Sequence, residues 1–170
     1  TPAATSDAPT ALVATPGDAQ VSVAFTAPTS NGGATITNYE YSTDGGTNYT
    51  AFSPTTTSSS VVITGLTNGT SYSIKLRAVN SAGVGAESAA VTSTPAATSD
   101  APTALVATPG DAQVSVAFTA PTSNGGATIT NYEYSTDGGT NYTAFSPTTT
   151  SSSVVITGLT NGTSYSIKLR

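Results

Sequence analysis

The sequence predicts an all-β protein made of tandem antiparallel β-sandwiches of about seven strands each, and three observations lead to this fold class. Residues 94–170 repeat residues 1–77 without a substitution, at a fixed offset of 93 residues, which is the size of a small domain. Within each copy, apolar and polar residues alternate in short runs with the period of half-buried strands. Turn signals rich in Gly, Pro, Asn and Asp separate these runs, and no window shows the apolar spacing of an amphipathic helix.

The repeat divides the chain into four segments. Residues 1–9 (TPAATSDAP) are polar, contain Pro and lack an apolar period, so they are predicted to be a linker, which recurs at residues 94–102. Residues 10–93 form the first predicted domain and residues 103–170 form the second. The second copy ends inside a strand that the first copy continues, so this domain is expected to be truncated before its last strand. The chain is accordingly expected to be a window on a longer array.

The first two predicted strands lie on either side of a turn. Residues 11–15 (ALVAT) end at a Pro-Gly-Asp turn signal. Residues 20–26 (QVSVAFT) alternate cleanly, which places Val21, Val23 and Phe25 on the buried face. An Ala-Pro pair and a Ser-Asn-Gly-Gly run then end the second strand.

Two more candidate strands occupy the middle of the copy. Residues 36–43 (ITNYEYST) place Tyr39 and Tyr41 on one face, and an Asp-Gly-Gly turn follows this strand. Residues 48–52 form a short strand candidate. The polar residues 53–59 are predicted to form an irregular crossing between the sheets.

Three strands complete the copy. Residues 60–66 (SVVITGL) are followed by a Thr-Asn-Gly-Thr turn, and residues 71–79 then alternate strictly. Residues 80–85 are predicted to turn again, and residues 87–92 to form the last strand. The predicted core of the first domain consists of the inward apolar and aromatic side chains Val21, Val23, Phe25, Tyr39, Tyr41, Ile63, Leu66, Tyr72, Ile74 and Leu76.

Three motifs of the first copy have a pattern in common with a known family. They are V-x-V-x-F-x-x-P at residues 21–28, I-x-x-Y-x-Y at residues 36–41 and L-x-x-G-x-x-Y-x-I-x-L-x-A-x-N at residues 66–80. Together they resemble a fibronectin type III domain, over residues 9–92 of the first copy and over the second copy as far as it extends. Tyr72 lies after a Gly turn at the start of a core strand. This is the place of a tyrosine corner, whose hydroxyl bonds to upstream backbone.

The resemblance implies an immunoglobulin-like β-sandwich, and an extracellular or cell-surface module that spaces or adheres without catalysing a reaction. One departure from the family pattern is Phe25, which stands where the family usually has Trp and fills less volume. The Arg-Gly-Asp tripeptide, which some members use for cell attachment, is absent. No receptor motif of the family therefore transfers to this chain.

Composition excludes several classes of function. The chain has no Cys and no His, which removes thiolate chemistry and the side chain most used for proton transfer near neutral pH. Its acids are dispersed, so no catalytic residue, cofactor-binding residue or metal ligand is predicted, and we expect no enzyme. The chain has 4 basic residues, too few for a nucleic-acid partner. No apolar run approaches the roughly 20 residues that span a bilayer, so no membrane insertion is expected.

The turn at residues 44–48 (DGGTN) is a candidate for calcium binding. A calcium loop needs several oxygen ligands close together in the sequence. This turn supplies Asp44 and Asn48 but no further acid. Solvated turn residues are therefore the preferred interpretation.

Four residues are candidates for a contact surface: Tyr49, Phe52, Lys75 and Arg77. Tyr49 and Phe52 lie near a predicted sheet edge, where they can stack on a sugar or a partner, although packing over the core explains them as well. Lys75 and Arg77 point outward from one strand and can contact anionic partners. Charged side chains in such positions also discourage edge-to-edge pairing.

The favoured function is a structural spacer or stalk in a long repetitive secreted or cell-surface protein, of the adhesin or filament kind. Identical copies multiply length without dividing labour, and the Thr/Ser/Ala/Gly bias without Cys favours a bacterial source. The expected partners are neighbouring identical repeats and other chains of the same protein in a filament. The two copies are expected to be extended, with little mutual contact. The alternatives are an accessory spacer of a secreted carbohydrate-active enzyme, a loop-based ligand-binding module and an engineered concatemer.

Overall fold

The computed structural model describes residues 2–170 and divides the chain into two compact units, Thr1–Ala97 and Thr98–Arg170. Thr1, the first residue of the predicted linker, lies outside the described residues. The strands of the first unit are β1 (Thr10–Gly17), β2 (Gln20–Thr26), β3 (Asn38–Ser42), β4 (Thr50–Ala51), β5 (Ser60–Thr64), β6 (Tyr72–Asn80), β7 (Gly83–Glu87) and β8 (Val91–Ser93). Those of the second unit are β9 (Thr103–Gly110), β10 (Gln113–Thr119), β11 (Glu133–Ser135), β12 (Thr143–Ala144), β13 (Ser153–Thr157) and β14 (Lys168–Leu169). Within residues 2–170 no helix is long and apolar enough to cross a bilayer.

The first unit consists of two antiparallel sheets. One has the strand order β1-β2-β5, and the other has the order β4-β3-β6-β7, with β8 pairing with the first half of β6. Strands β2, β5 and β6 alternate between buried and more exposed residues, because each buries one face against the opposite sheet. The predicted all-β sandwich is confirmed.

The core of the first unit lies between the two sheets. The rings of Phe25 on β2 and Tyr39 on β3 meet edge to face across this space, with centroids 4.8 Å apart. Of the ten side chains predicted to be buried, Tyr41, Leu66 and Tyr72 are instead partly exposed and pack at the margin of the core. The other seven are buried: Val21, Val23, Phe25, Tyr39, Ile63, Ile74 and Leu76.

The end of the first copy differs from the sequence-based prediction. The predicted turn at residues 80–85 contains the start of β7, because β6 reverses in a tight hairpin that pairs Asn80 with Gly83. The predicted last strand, residues 87–92, coincides only with the last residue of β7 and the first two residues of β8. Ser88 lies at the break, where its N–H donates to the Leu76 carbonyl at 2.8 Å and its Oγ accepts from the Leu76 N–H at 3.0 Å. These two bonds replace ladder bonds with β6 and let the strand change direction.

Both copies contain the expected tyrosine corner. The hydroxyl of Tyr72 accepts a hydrogen bond from the backbone N–H of Thr67 at 2.9 Å. In the second unit, the hydroxyl of Tyr165 accepts from the N–H of Thr160 at 3.0 Å. Each bond fixes the turn that leads into the following core strand.

Hydrogen bonding extends beyond the predicted domain limits. Residues 4–7 and residues 95–96 make backbone hydrogen bonds to the first unit, and Asp100 bonds to the second. Much of each predicted linker is therefore held against a unit, because backbone groups beside a strand end find partners in the neighbouring turns.

The second unit repeats the layout with fewer strands. Its sheets have the strand orders β13-β10-β9 and β12-β11-β14. Phe118 and Tyr132 meet edge to face at 4.9 Å, as Phe25 and Tyr39 do in the first unit. The buried core side chains of this unit are Val116, Phe118, Tyr132, Val154, Ile156 and Leu169.

Candidate functional site

Three charged residues stand side by side on the outer face of the β4-β3-β6-β7 sheet. Glu40 of β3 is opposite Arg77 of β6, and Arg77 is opposite Glu87 of β7. Lys75 lies two residues before Arg77 and so on the same face, and Tyr49 comes from the segment before β4. These five residues, which form one connected set of contacts, are called the charged cluster below.

Arg77 is the centre of the charged cluster. Its Nε and Nη2 atoms both lie 2.7 Å from Glu40 Oε2. Its guanidinium carbon lies 3.8 Å from the centroid of the Tyr49 ring. A cation–π contact of this kind is worth about 0.5–1 kcal/mol at an exposed site. Arg77 therefore ties β6 both to β3 and to the segment before β4.

Glu87 accepts two hydrogen bonds within the charged cluster. Lys75 Nζ donates to Oε1 at 2.6 Å, and the Tyr49 hydroxyl donates to Oε2 at 2.7 Å. The Lys75 bond first, and then the Tyr49 bond, hold the pKa of Glu87 below its ordinary value. Desolvation, followed by the hydrogen bond to Glu87, raises the pKa of Tyr49 to about 12.

The charged cluster contains two cations and two anions, and each is paired with the opposite sign. The paired side chains are 19% (Glu40) to 47% (Glu87) exposed. Pairs at the protein surface contribute about 0–1 kcal/mol each, so the stabilising role of the cluster is modest. Since Lys75 and Arg77 are each paired with a glutamate, neither offers an unpaired positive charge to an anionic partner.

The structure separates Phe52 from the other predicted contact residues. Its ring packs against Tyr41 with centroids 4.8 Å apart and joins the margin of the core. Its carbonyl accepts from Asn38 Nδ2 at 3.0 Å. Tyr49, Lys75 and Arg77 lie together on the outer face, whereas Phe52 fills space beside the core.

The second unit retains part of the charged cluster. Arg170 Nε lies 2.6 Å from Glu133 Oε2, and its guanidinium carbon lies 4.0 Å from the centroid of the Tyr142 ring. The sequence of this unit has no counterpart of Glu87. The arginine–tyrosine–glutamate contact therefore forms without the β7 residue.

The Asp44 turn uses its carboxylate internally. Oδ1 accepts from the Ser42 hydroxyl at 2.7 Å and from the backbone N–H groups of Thr47 and Asn48, each at 3.0 Å. Oδ2 accepts from Asn48 Nδ2 at 2.7 Å. These bonds, led by the Asn48 backbone N–H, hold the pKa of Asp44 well below its usual range. Donors from the protein itself occupy the carboxylate, which favours the structural turn over a calcium loop.

Within residues 2–170 no group of three or more acidic residues is placed to hold a metal ion. A groove of about 300 Å³ lies between the start of β1 and the segment that joins β7 to β8. Its lining contains no titratable side chain and consists of Ala8, Pro9, Thr10, Ala11, Leu12, Ala89 and Ala90.

Sequence reasoning missed the two acids of the charged cluster. Glu40 and Glu87 stand at outward positions, but a single sequence does not state which residues are opposite one another in a sheet. The same reason hid the bond between Tyr49 and Glu87, which are 38 residues apart. The available signal was the opposite sign of these acids and the basic residues of β6.

The fold and the site define a class of protein: an antiparallel β-sandwich module with a tyrosine corner and an internally neutralised surface cluster. The family model described as "Fibronectin type III domain" matches residues 7–94, which is more than half of the chain. The chain belongs to the fibronectin type III family. Domains of this family are generally structural or ligand-binding modules, and they are typically extracellular or exposed at the cell surface.

Two further comparisons complete this finding. The crystal structure of domains A168-A170 from titin is similar to the chain at 23% sequence identity, with a TM-score of 0.47. The aligned part covers 54% of this chain and 32% of the titin chain, so the likeness spans about a third of that structure. A comparison with curated proteins finds no match.

Proposed function

We propose that the chain is a structural spacer, or stalk, in a long repetitive secreted or cell-surface protein of the adhesin or filament kind. The observation that carries this proposal is the path of the chain through the first unit. The segment before β1 is held at the end of the sandwich where β1 begins, and the segment after β8 is held at the end where β1 finishes. A strand of 8 residues such as β1 spans about 26 Å. Each unit inserted into an array therefore adds length.

The entry segment is fixed to the first unit by backbone contacts. The N–H of Ala4 donates to the Gly32 carbonyl at 2.8 Å, and the Ala4 carbonyl accepts from Asn80 Nδ2 at 2.8 Å. The Ser6 carbonyl accepts from the Ala86 N–H at 3.1 Å. These bonds join the entry segment to the loop before β3 and to the hairpin of β6 and β7.

The exit segment is fixed at the opposite end. The Pro95 carbonyl accepts from the Gly69 N–H at 2.8 Å, and the Ala96 N–H donates to the Gly17 carbonyl at 3.2 Å. Gly17 ends β1, and Gly69 lies in the turn before β6. Since both segments are bonded to their unit, a pull on the chain is transmitted to the sandwich rather than taken up by a slack linker.

The surface chemistry supports a spacer over a recognition module. The charged cluster satisfies its own charges, and the groove near β1 has Thr10 as its one hydroxyl-bearing side chain and no charged side chain to hold a specific ligand. Because the two copies have the same sequence, the second copy repeats the surface residues of the first and adds no different binding surface. The composition, rich in Thr, Ser, Ala and Gly and free of Cys, supports a bacterial source for the proposal.

Small-angle X-ray scattering on arrays of one, two and four complete repeats tests the spacer. The maximum dimension is expected to rise linearly, by roughly 30 Å for each added repeat. A compact array would grow much more slowly with repeat number, as a globular protein does. A maximum dimension that rises by far less than one sandwich length per repeat would contradict the proposal.

A pair of glycine variants tests whether the fixed entry segment matters. A Cβ at Gly32 would overlap the carbonyl oxygens of Ala4 and Thr5, whereas a Cβ at Gly33 would meet nothing within 4 Å. Both glycines have positive φ, 71° and 79°, so their backbone strain on substitution is similar. In the array, Gly32→Ala should broaden the distribution of end-to-end distances, and Gly33→Ala should not. Equal effects of the two changes would show that the entry contacts do not stiffen the array.

A further inference from the structure

The sheet edges of the first unit differ in their protection against pairing with another strand. β1 contains Pro16 and a register irregularity between Thr10 and Val13. β4 is only 2 residues long, and β7 contains two glycines and Glu87. Each of these features blunts an edge. β5 (Ser60–Thr64) has the sequence SVVIT, without charge, Pro or Gly, and its register with β2 is continuous.

The free side of β5 presents backbone hydrogen-bonding groups. The Phe25 N–H donates to the Ser59 carbonyl at 2.9 Å, so the hydrogen-bonded pairs with β2 fall on odd-numbered residues. The N–H and C=O groups of Val62 and Thr64 therefore point away from β2. The C=O of Ser60 points the same way, while the Ser60 N–H donates a hydrogen bond to the hydroxyl of Ser58 at 3.2 Å. This side of the strand is a template for one more strand.

The β5 sequence is its own chemical complement when it is reversed. In an antiparallel pair centred on Val62, Ser60 stands opposite Thr64 of the second copy, and Val61 stands opposite Ile63. Hydroxyl side chains then meet hydroxyl side chains, and β-branched side chains meet β-branched ones. Val62, which is 48% exposed, meets itself. Such an arrangement has the two-fold symmetry of a self-complementary interface.

The second unit presents the same edge. β13 (Ser153–Thr157) is the outer strand of its sheet and pairs with β10 in the register that β5 has with β2. Val155 is 47% exposed, close to the 48% of Val62. Each chain therefore has two equivalent edges.

We propose that β5 and β13 are self-association strands, each of which pairs antiparallel with the same strand of a second copy of this chain. The chain has a net charge of -5, and these strands are uncharged, so copies meet where their acids are not brought together. An unrelated extended peptide would satisfy the same backbone groups, but nothing in it would match the self-complementary sequence. The proposal concerns contacts between chains and holds whether or not the chain is a spacer.

Sedimentation velocity of the intact chain, from micromolar to millimolar concentration, tests the proposal. We expect species larger than the 16.7 kDa monomer, whose mass increases with concentration. The double variant Val62→Lys/Val155→Lys places like charges at the centre of every pair and should sediment as a single chain. In the single variant Val62→Lys only β13 can still pair, so the largest species formed should be a dimer. A parent chain that remains monomeric throughout would overturn the proposal.

The double variant Val13→Lys/Val106→Lys is the matched control. These valines are 61% and 62% exposed on the opposite edges of the same sheets, and their replacement changes the net charge equally. This control should associate like the parent chain, and loss of its association would show a general charge effect and overturn the proposal. Circular dichroism checks that each variant is folded.

A second pair of substitutions tests the backbone contact directly. Val62→Pro/Val155→Pro removes only N–H groups that point away from the neighbouring strand, which edge positions tolerate. These prolines should also abolish association while the β-sheet spectrum is retained. Association that survives both the lysine and the proline variants would exclude these strands as the interface.

Discussion

The same amino-acid sequence forms a long strand in one unit and a short one in the other. Residues 72–77 lie wholly within β6 (Tyr72–Asn80), whereas among their counterparts, residues 165–170, only Lys168–Leu169 form a strand, β14. β6 pairs with β3, β7 and β8, whereas β14 pairs with β11 alone. The sequence of the second unit has no counterpart of residues 78–93, which contain β7 and β8. Strand length here depends on the partners that are present and not on local sequence alone.

The sheets that contain β2 and β10 show how far the absence of the last two strands affects burial in the core. Val23 and Val116 occupy the same place on β2 and β10, and both are 0% exposed. At the margin the units diverge, since Val21 is buried but its counterpart Val114 is partly exposed. Leu105 on β9 is 37% exposed. The last two strands of a unit therefore cover the margin of the core, while its centre is built by the earlier strands.

The largest expected effect comes from truncating the β6 core. Leu76 is 0% exposed, and its counterpart Leu169 is 6% exposed with fewer strands around it. Leu76→Ala should lower the free energy of unfolding of the first unit by about 2–5 kcal/mol, because it leaves a cavity between two sheets. Leu169→Ala should cost clearly less. Urea denaturation followed by tyrosine fluorescence measures both, and equal losses would mean that β7 and β8 do not tighten the packing around β6.

The tyrosine corner should behave alike in the two units. Tyr72→Phe and Tyr165→Phe each remove one hydrogen bond to a turn N–H, of nearly equal length. Each change is expected to cost about 1 kcal/mol. Tyr41→Phe is the control, since the Tyr41 hydroxyl makes no hydrogen bond within the described residues. A large difference between the first two variants, again measured by urea denaturation, would show that the corner depends on the later strands.

A smaller effect of opposite sign, a gain in the free energy of unfolding, is expected in the hairpin between β1 and β2. Ala19 and its counterpart Ala112 have φ of 51° and 50°, a region that costs a side-chain-bearing residue about 1 kcal/mol. Ala19→Gly should therefore raise the free energy of unfolding by about 0.5 kcal/mol, after the entropy loss of glycine is subtracted. Ala112→Gly should do the same. Ala24→Gly, in an extended strand, is the control and should destabilise; thermal unfolding distinguishes the signs.

The smallest predicted difference between the two units is in how much stability each loses at acid pH. Hydrogen bonds from Lys75 and Tyr49 lower the pKa of Glu87 in the folded state below its ordinary value of 4.5. The stability that ionised Glu87 contributes is therefore fully present above pH 4.5, and it is lost as the pH falls through the folded-state pKa. The second unit has no such residue, so the first unit should lose more stability on acidification. Glu87→Gln should remove that difference in denaturation midpoints measured between neutral and acid pH. An unchanged pH dependence in this variant would mean that the cluster adds nothing to stability.

The sequence predicted best the elements whose own side chains carry the signal. The alternation of residues 20–26 and 71–79 revealed both the strands and their buried faces, as the burial of Val23 and Leu76 shows. β7 was missed because its residues, GVGAE, have little β-propensity, and it is held by its hairpin with β6 instead. The charged cluster was only half visible, because the pairing of Glu87 with β6 depends on register between strands.

Hydrogen exchange measured by NMR tests the central claim, that partner strands and not local sequence determine the order of β6. Because the copies are identical, residues 94–170 should be isotopically labelled separately from the rest of the chain. The amides of residues 73–77 are expected to exchange roughly a hundredfold more slowly than those of residues 166–170, while Val23 and Val116 exchange at similar rates. Equal protection of residues 73–77 and 166–170 would contradict the account.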